Sequence, residues 1–242
     1  MNIHIFPNEL ELNEAAAGII TSLVQTKPHA ALGLATGSTP IGIYAELARL
    51  FRKGRVSYRH AHLFNLDEYV GLSPHHPQSY AYYMQTHLFQ HIDAVPEHIH
   101  IPRGMATDLV EECTRYDELL AKMGQLDLQL LGLGHNGHIG FNEPDHALIS
   151  GTHVVHLSEL TRAANARFFD DPQHVPQQAI TMGVGTILKA KTILFVIKGA
   201  DKADILHQAL TGDITTACPA SLLHMHPHLV VLADREAGRK LS

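Results

Sequence analysis

The chain has 242 residues, with 18 basic and 24 acidic side chains, 20 histidines and a formal net charge of -6. Its length and composition predict a globular protein with a large buried core. The acidic balance gives no reason to expect nucleic acid or an anionic membrane surface as a partner. The two cysteines, Cys113 and Cys218, are too few for a disulfide framework, which indicates a reducing compartment.

The N-terminal stretch MNIHIFPNELELNE lacks a basic segment followed by an apolar run, so we expect no signal peptide. No apolar run approaches the roughly 20 residues that a membrane-spanning helix needs. We therefore expect a cytoplasmic protein without a membrane partner.

Short apolar runs alternate with longer amphipathic ones along the chain. The predicted strands are Asn2–Phe6, Ala30–Ala35, His62–Leu66, Asp127–Leu133, Val154–His156, Thr192–Lys198 and Leu229–Ala233. The predicted helices are Leu10–Gln25, Gly42–Lys53, Ser79–His91, Leu109–Met123, Leu160–Phe169, Lys202–Leu210 and Ala220–His224. This alternation predicts an α/β fold built from right-handed βαβ units.

Two of these strands, AALGLA at 30–35 and LQLLGLG at 128–134, are nearly continuous apolar runs, as in a parallel sheet covered on both faces. No repeat or low-complexity linker divides the chain, so we expect a single domain over residues 1–242. In such sheets ligands bind beyond the carboxyl ends of strands. The candidate site loops are therefore the irregular stretches that follow predicted strands, 36–40, 67–78 and 134–151.

Histidine occurs in clusters: HAH at 60–62, HH at 75–76, HIH at 98–100, HNGH at 135–138 and HMHPH at 224–228. A zinc site needs ligands at a suitable spacing with carboxylates behind them. There is no CxxC pair, and most of these histidines fall beside predicted turns. We therefore expect scattered histidines and no metal site.

The loop ATGSTP at 35–40 links an apolar strand to a helix. Gly37 lets the backbone approach a ligand, and Ser38 and Thr39 supply hydroxyl groups. Pro40 suits the first turn of a helix, whose free N–H groups attract an anion. The loop is not a Walker motif, because the lysine is missing. Since Ser and Thr also cap helices without a ligand, phosphate binding and simple capping both stay open.

The loop NLDEYVGL at 65–72 places Asp67 and Glu68 directly after an apolar strand. An Asp that is held against a substrate and partly desolvated can abstract a proton from carbon. Two adjacent acids can equally be a solvated turn. The residues themselves leave both interpretations open.

The stretch LGLGHNGHIGFNEP at 131–144 is rich in glycine and carries His138 and Glu143. His138 can exchange protons near neutral pH, and Glu143 could orient its ring and stabilise its charged form. Nucleophilic catalysis is disfavoured, because there is no GxSxG turn and no cysteine in a reactive context. Among the few basic residues, three stand near loops: Arg162, Arg167 and Lys202. Two interpretations stay open for them, namely phosphate binding and solvent-exposed charges on helices.

Several motifs together resemble the glucosamine-6-phosphate deaminase (isomerase) family over essentially the whole chain. They are LGLATGSTP, FNLDEYVGL, GLGHNGHIGFNEP, LTRAANARFF, AITMGVGTIL and GADKADIL. The resemblance implies a three-layer α/β/α sandwich with a Rossmann-like, mostly parallel sheet. It also implies conversion of glucosamine 6-phosphate and water to fructose 6-phosphate and ammonia, with no organic cofactor and no metal.

The same resemblance implies a role for each matching residue. Asp67 is the base that moves a proton between C2 and C1, and His138 opens the pyranose ring. The residues that support His138 are Glu143 and Asn136. The residues that cradle the phosphate are Thr36, Gly37, Ser38 and Thr39, assisted by Arg167 and Lys202.

One position departs from the family pattern. Well-known members have Asp where this chain has Asn136, although Asn at this position resembles a subgroup of shorter members. An amide can position His138 by hydrogen bonding but cannot stabilise an imidazolium by its charge. We therefore expect ring opening to depend more on Glu143.

Two other functions fit parts of the pattern. A 6-phosphogluconolactonase of the same fold would use the histidine on a water molecule and would need no base matching Asp67. A non-catalytic sugar-phosphate-sensing domain would keep the phosphate loop and add a DNA-binding helix pair. Because the chain keeps Asp67 and His138, and its first predicted strand starts at Asn2, we favour the deaminase.

The segment SGTHVV at 150–155 leads to a prediction about regulation. Hexameric family members activated by N-acetylglucosamine 6-phosphate carry basic side chains in this segment, whereas here it contains no Lys or Arg. We predict a monomer whose rate depends hyperbolically on substrate, with or without that activator, because the anion lacks its cationic partners. Initial rates measured with and without the activator check this. Sigmoidal curves that turn hyperbolic on its addition would contradict it.

Overall fold

A computed structural model describes residues 1–166, 169, 171 and 174–241 of the chain. The strands are β1 (Asn2–Phe6), β2 (Ala31–Leu34), β3 (His62–Asn65), β4 (Asp67–Tyr69), β5 (Ile99–His100), β6 (Leu128–Leu131), β7 (His153–His156), β8 (Gln178–Thr181), β9 (Ile193–Ile197) and β10 (Leu229–Asp234). The α-helices are α1 (Glu9–Thr26), α2 (Pro40–Arg52), α3 (Tyr80–His87), α4 (Leu109–Met123), α5 (Glu159–Ala166), α6 (Val184–Leu188), α7 (Ala203–Thr211) and α8 (Arg235–Gly238). Short 3₁₀ helices lie at Phe89–His91, Pro96–His98, Ala200–Lys202 and Pro219–Met225.

Within the described residues, seven strands form one sheet in the order β1-β10-β9-β6-β2-β3-β5. Each pairing in this sheet is parallel. Strands β2, β6 and β9 are buried along their whole length, because helices flank the sheet. The predicted α/β sandwich with a mostly parallel sheet is therefore confirmed.

Helix α1 shows how the local sequence sets an element and its packing face. The Asn8 side chain caps the helix: it accepts a hydrogen bond from the Glu11 N–H at 3.0 Å and donates one to the Glu11 carboxylate at 2.9 Å. Leu12, Ala16 and Ile20 repeat every four residues and are fully buried. This apolar stripe packs the helix against α2 and the β1–β10 edge.

A second sheet, with the antiparallel order β4-β8-β7, joins the first at Leu66. The Leu66 N–H donates to the Leu34 carbonyl at the end of β2, at 3.0 Å. Its carbonyl accepts from the Met182 N–H, just beyond β8, at 2.8 Å. One residue thus bonds to both sheets, and Asp67 begins β4 at the junction.

All seven predicted strands are present, with ends that differ by at most two residues. The sequence interpretation missed β4, β5 and β8, as well as α6 and α8. Strand β4 was missed because its 3 residues include two acids, which disfavour strands.

Three predicted helices need comment. Ser79–His91 is not one helix: it ends at His87, because Leu88 has a φ of -135°, and a 3₁₀ turn follows. Ala220–His224 is part of a 3₁₀ helix. The end of Leu160–Phe169 falls partly outside the described residues.

Candidate active site

The three predicted site loops meet at one cavity of about 510 Å³. It lies at the carboxyl ends of β2, β3 and β6, where parallel strands of one sheet expose their last residues on the same edge. The predicted site residues that line it are Thr36, Gly37, Ser38, Thr39, Asp67, Asn136, His138 and Lys202. Glu143 is not among the lining residues, and Arg167 lies outside the described part of the chain.

Asp67 is the first residue of β4, where it pairs with Thr181, and its exposed fraction is 6 %. The solvated-turn interpretation of the two acids is therefore wrong. Burial raises the pKa of Asp67 to about 8, and the negative charge of Glu68 adds to that effect. A hydrogen bond with the Thr36 side chain acts in the opposite direction.

Glu68 is buried as well, with an exposed fraction of 2 %. One of its carboxylate oxygens accepts from the N–H groups of Tyr69 at 2.7 Å and Tyr80 at 2.9 Å, and the other accepts from Ala81 at 2.9 Å. Tyr80 and Ala81 begin helix α3, whose free N–H groups and dipole favour a carboxylate. Glu68 therefore fastens α3 to β4, a role that the sequence interpretation missed.

His138 packs its ring on the backbone of Gly134. A Cβ at position 134 would lie 2.3 Å from the ring, so only glycine fits there. Burial lowers the pKa of His138 to about 4, the nearby Glu143 charge raises it, and Lys202 lowers it. The imidazole is therefore neutral near pH 7 and can accept a proton.

The two predicted partners of His138 differ in what they contact. The Asn136 side-chain oxygen accepts from the main-chain N–H of His138 at 3.2 Å, which fixes the turn rather than the ring. Glu143 acts on the ring through its charge. Within the described residues, Nδ1 of His138 and Oε1 of Glu143 are both buried without a hydrogen-bond partner.

The phosphate loop lies at the N-terminus of α2. Thr39 is the N-cap residue, yet its side chain makes no capping hydrogen bond. The capping interpretation of this loop is therefore not supported at Thr39, and its hydroxyl lines the cavity. Lys202, at the start of α7, lines the same cavity and brings a positive charge to it.

The cavity also contains residues that sequence reasoning left out. His135, to which the sequence interpretation gave no role, pairs with Asp201 at 2.9 Å at the cavity wall. Lys198 and Glu9 form a second pair at 2.5 Å. Both pairs join residues more than 60 positions apart, so no local spacing could have predicted them.

In the part of the chain that the structure describes, no group of three or more His, Cys, Asp or Glu side chains is arranged to hold a metal ion. Histidines from the HAH and HIH clusters pack on each other instead. The His62 ring centre lies 4.2 Å from that of His98 and 5.8 Å from that of His100.

Comparison with known proteins places this site in a family. The family described as glucosamine-6-phosphate isomerases/6-phosphogluconolactonase matches residues 9–231. The chain belongs to this family. A glucosamine-6-phosphate deaminase of Bacillus velezensis is 52% identical over 238 residues, which cover 98% of this chain and 99% of that protein. One of Thermoanaerobacter pseudethanolicus is 47% identical over 98% of this chain and 94% of that protein.

Two solved structures resemble this chain at different levels of sequence identity. A monomeric glucosamine-6-phosphate deaminase superposes with a TM-score of 0.97 at 48% identity, covering 99% of this chain and all of that one (100%). A 6-phosphogluconolactonase of Trypanosoma brucei reaches a TM-score of 0.77 at 19% identity, over 100% and 98% of the two chains. At that identity the likeness concerns the fold alone. Of the helices described, none is long and apolar enough to cross a membrane.

The contacts of Glu143 and Asn136 lead to a prediction. Glu143→Gln removes the charge that favours protonated His138, whereas Asn136→Ala removes only a bond to the main chain. We expect ammonia release from glucosamine 6-phosphate to fall on the order of 10²-fold in Glu143→Gln and less than about tenfold in Asn136→Ala. Turnover numbers of the two variants check this order. Equal losses, or the reverse order, would contradict it.

Proposed function

We propose that this chain is a glucosamine-6-phosphate deaminase that converts glucosamine 6-phosphate and water to fructose 6-phosphate and ammonia. One observation carries the proposal: a buried carboxyl group, Asp67, and a half-buried imidazole that is neutral near pH 7, His138, line one cavity from the ends of different strands. The reaction needs two separate proton-transfer groups. The pathway it serves is the breakdown of amino sugars such as N-acetylglucosamine.

The order of the chemical steps explains why two groups are needed. The C2 proton becomes acidic enough to remove only after the pyranose ring has opened to the aldehyde. His138 opens the ring, since its neutral imidazole can accept the hydroxyl proton and return one to the ring oxygen. Asp67 then moves the proton from C2 to C1 through an enediol-type intermediate that carries the amino group on C2. This leaves an imine at C2, which water hydrolyses to the ketone of fructose 6-phosphate and ammonia.

The remaining residues position these two groups and the substrate. Glu143 stabilises the imidazolium that forms during ring opening, and Asn136 fixes the turn that carries His138. The phosphate binds where the loop residues Thr36, Gly37, Ser38 and Thr39 meet Lys202, and Arg167 completes the cradle. Because the phosphate is remote from C1 and C2, its contacts bind the sugar in the cavity and take no part in the proton transfers.

The competing lactonase function has less support. Lactone hydrolysis needs a group that activates water, but no second base that acts on carbon. Burying Asp67 costs folding free energy, as its raised pKa indicates. The isomerisation step accounts for such a residue, because that step needs a base. The identities of 47% and 52% to deaminases support the same choice.

We extend the proposal to the domain organisation, the oligomeric state and the location of the protein. We infer a single domain over residues 1–242 and a monomer, as in the monomeric deaminase that superposes on this chain. A cytoplasmic location fits the buried free thiols of Cys113 and Cys218.

The proposed base is tested by Asp67→Asn. The amide keeps the shape of the side chain but cannot accept the C2 proton, so we expect ammonia release to fall by roughly 10²- to 10⁴-fold. Asp213→Asn, a change at an exposed position, is the matched control and should keep wild-type turnover. No ammonia from the wild type would defeat the proposed function, and full activity in Asp67→Asn would defeat the mechanism.

The pH profile provides an independent check. Asp67 is a base only when deprotonated, and its pKa in the free protein is raised to about 8 by burial and by Glu68. We therefore expect kcat/KM to fall about tenfold per pH unit as the pH drops below that value. Initial rates from about pH 6 to pH 10 measure this limb. A kcat/KM that stays constant between about pH 6 and pH 8, as for an aspartic acid of ordinary pKa, would contradict the assignment.

A further inference from the structure

Tyr83, on helix α3, contacts the phosphate loop from outside the cavity. Its hydroxyl donates to the Gly37 carbonyl at 2.6 Å, across 46 residues of sequence. Tyr83 is not among the residues that line the cavity, whereas Gly37 and Ser38 are. Burial raises the pKa of Tyr83 above its ordinary value, so the hydroxyl stays protonated and remains a donor.

The geometry of the peptide bond gives this contact a consequence. In a planar trans peptide the C=O of one residue and the N–H of the next point in opposite directions. The Gly37 carbonyl points at Tyr83, which does not line the cavity, so the Ser38 N–H points away from Tyr83, and Ser38 itself lines the cavity. Among the described residues, no hydrogen bond uses this N–H.

The conformation of Gly37 agrees with a held peptide. Its φ is +96°, a backbone conformation that residues other than glycine rarely adopt. A Cβ on Gly37 would meet nothing within 4 Å, so space alone would admit a side chain. Position 37 therefore requires glycine because of its backbone conformation and not because of packing.

The helix that carries Tyr83 is itself well anchored. Glu68 accepts from the first N–H groups of α3, and the Ser79 hydroxyl accepts from the Tyr82 N–H at 3.1 Å. Glu68 also adjoins Asp67. The same helix thus connects the proposed base to the phosphate loop.

We propose that Tyr83 is a positioning residue, which aims the Ser38 N–H at the substrate phosphate by holding the Gly37 carbonyl. This inference rests on the proposed function in one respect, namely that the anion in the loop is the phosphate of the sugar. Tyr83 itself touches no substrate.

The kinetic signature of such a role differs from that of a catalytic group. The phosphate is not altered by the reaction, so its contacts are equally strong in the ground state and the transition state. An interaction of this kind lowers KM and leaves kcat unchanged. A variant that is only less stable is not expected to raise KM while it leaves kcat unchanged.

The experiment compares Tyr83→Phe with Tyr82→Phe. Tyr82 is on the same helix and 43% exposed, so it is a matched control. Phenylalanine at 83 retains the packing of the ring on His87, whose centre lies 4.5 Å away. We expect Tyr83→Phe to weaken binding of inorganic phosphate about three- to tenfold by calorimetry, and to raise KM for glucosamine 6-phosphate by the same factor. Its kcat should stay within about twofold of wild type, and Tyr82→Phe should match wild type throughout.

A second variant guards against a folding defect at position 83. Gly37→Ala strains the same peptide without touching Tyr83, and it should also weaken phosphate binding. Unchanged phosphate affinity in Tyr83→Phe, a fall in kcat at constant KM, or equal losses in Tyr82→Phe would overturn the inference.

The two proposals fail in different ways. If wild type binds phosphate but releases no ammonia, the proposed function fails, and weaker phosphate binding by Tyr83→Phe still supports the positioning role. If wild type is an active deaminase and Tyr83→Phe matches it in phosphate affinity and KM, the positioning role alone is overturned.

Discussion

Two neighbouring carboxylates, Asp67 and Glu68, are buried where the chain passes from the parallel sheet into the antiparallel one. A buried carboxylate is costly unless hydrogen bonds satisfy it. Glu68 receives three main-chain N–H groups, two of them from the start of α3. Within the described residues, Oδ1 of Asp67 has no partner. The two carboxyl groups thus differ in their hydrogen bonding: Glu68 holds β4 and α3 together, and Asp67 is the one for which we propose proton exchange.

The same junction organises the rest of the site. Once α3 is fixed by Glu68, its Tyr83 reaches the phosphate loop, so a loop at the end of β2 is held by a helix that begins more than 40 residues later. Burial also acts on both proposed proton-transfer groups, raising the pKa of Asp67 and lowering that of His138. Both effects favour the neutral form.

The sequence allowed much of the site to be predicted, for a physical reason. The phosphate loop, Asp67 and His138 each follow an apolar run, and parallel strands bring their carboxyl ends to one edge. Asn136 was expected to support His138, and its amide oxygen accepts from the main-chain N–H of His138 rather than from the ring, so its role in the reaction stays a prediction. The small antiparallel sheet was missed because β4 is short and acidic and β8 lies far from it in sequence.

By itself the sequence determined the parallel α/β architecture, the three loops and the residue types at their tips, because apolar periodicity and glycine-rich turns are local signals. It could not decide whether Asp67 and Glu68 are solvated or buried, since exposure depends on β8 and α3 packing around them. Nor could it show that His138 is half-buried within reach of the Glu143 charge, or that the Tyr83 hydroxyl donates to the Gly37 carbonyl. Desolvation and contacts between distant residues arise only when the chain is folded. The tertiary structure therefore decided which of the polar loop residues are placed to exchange protons and which hold the others in place.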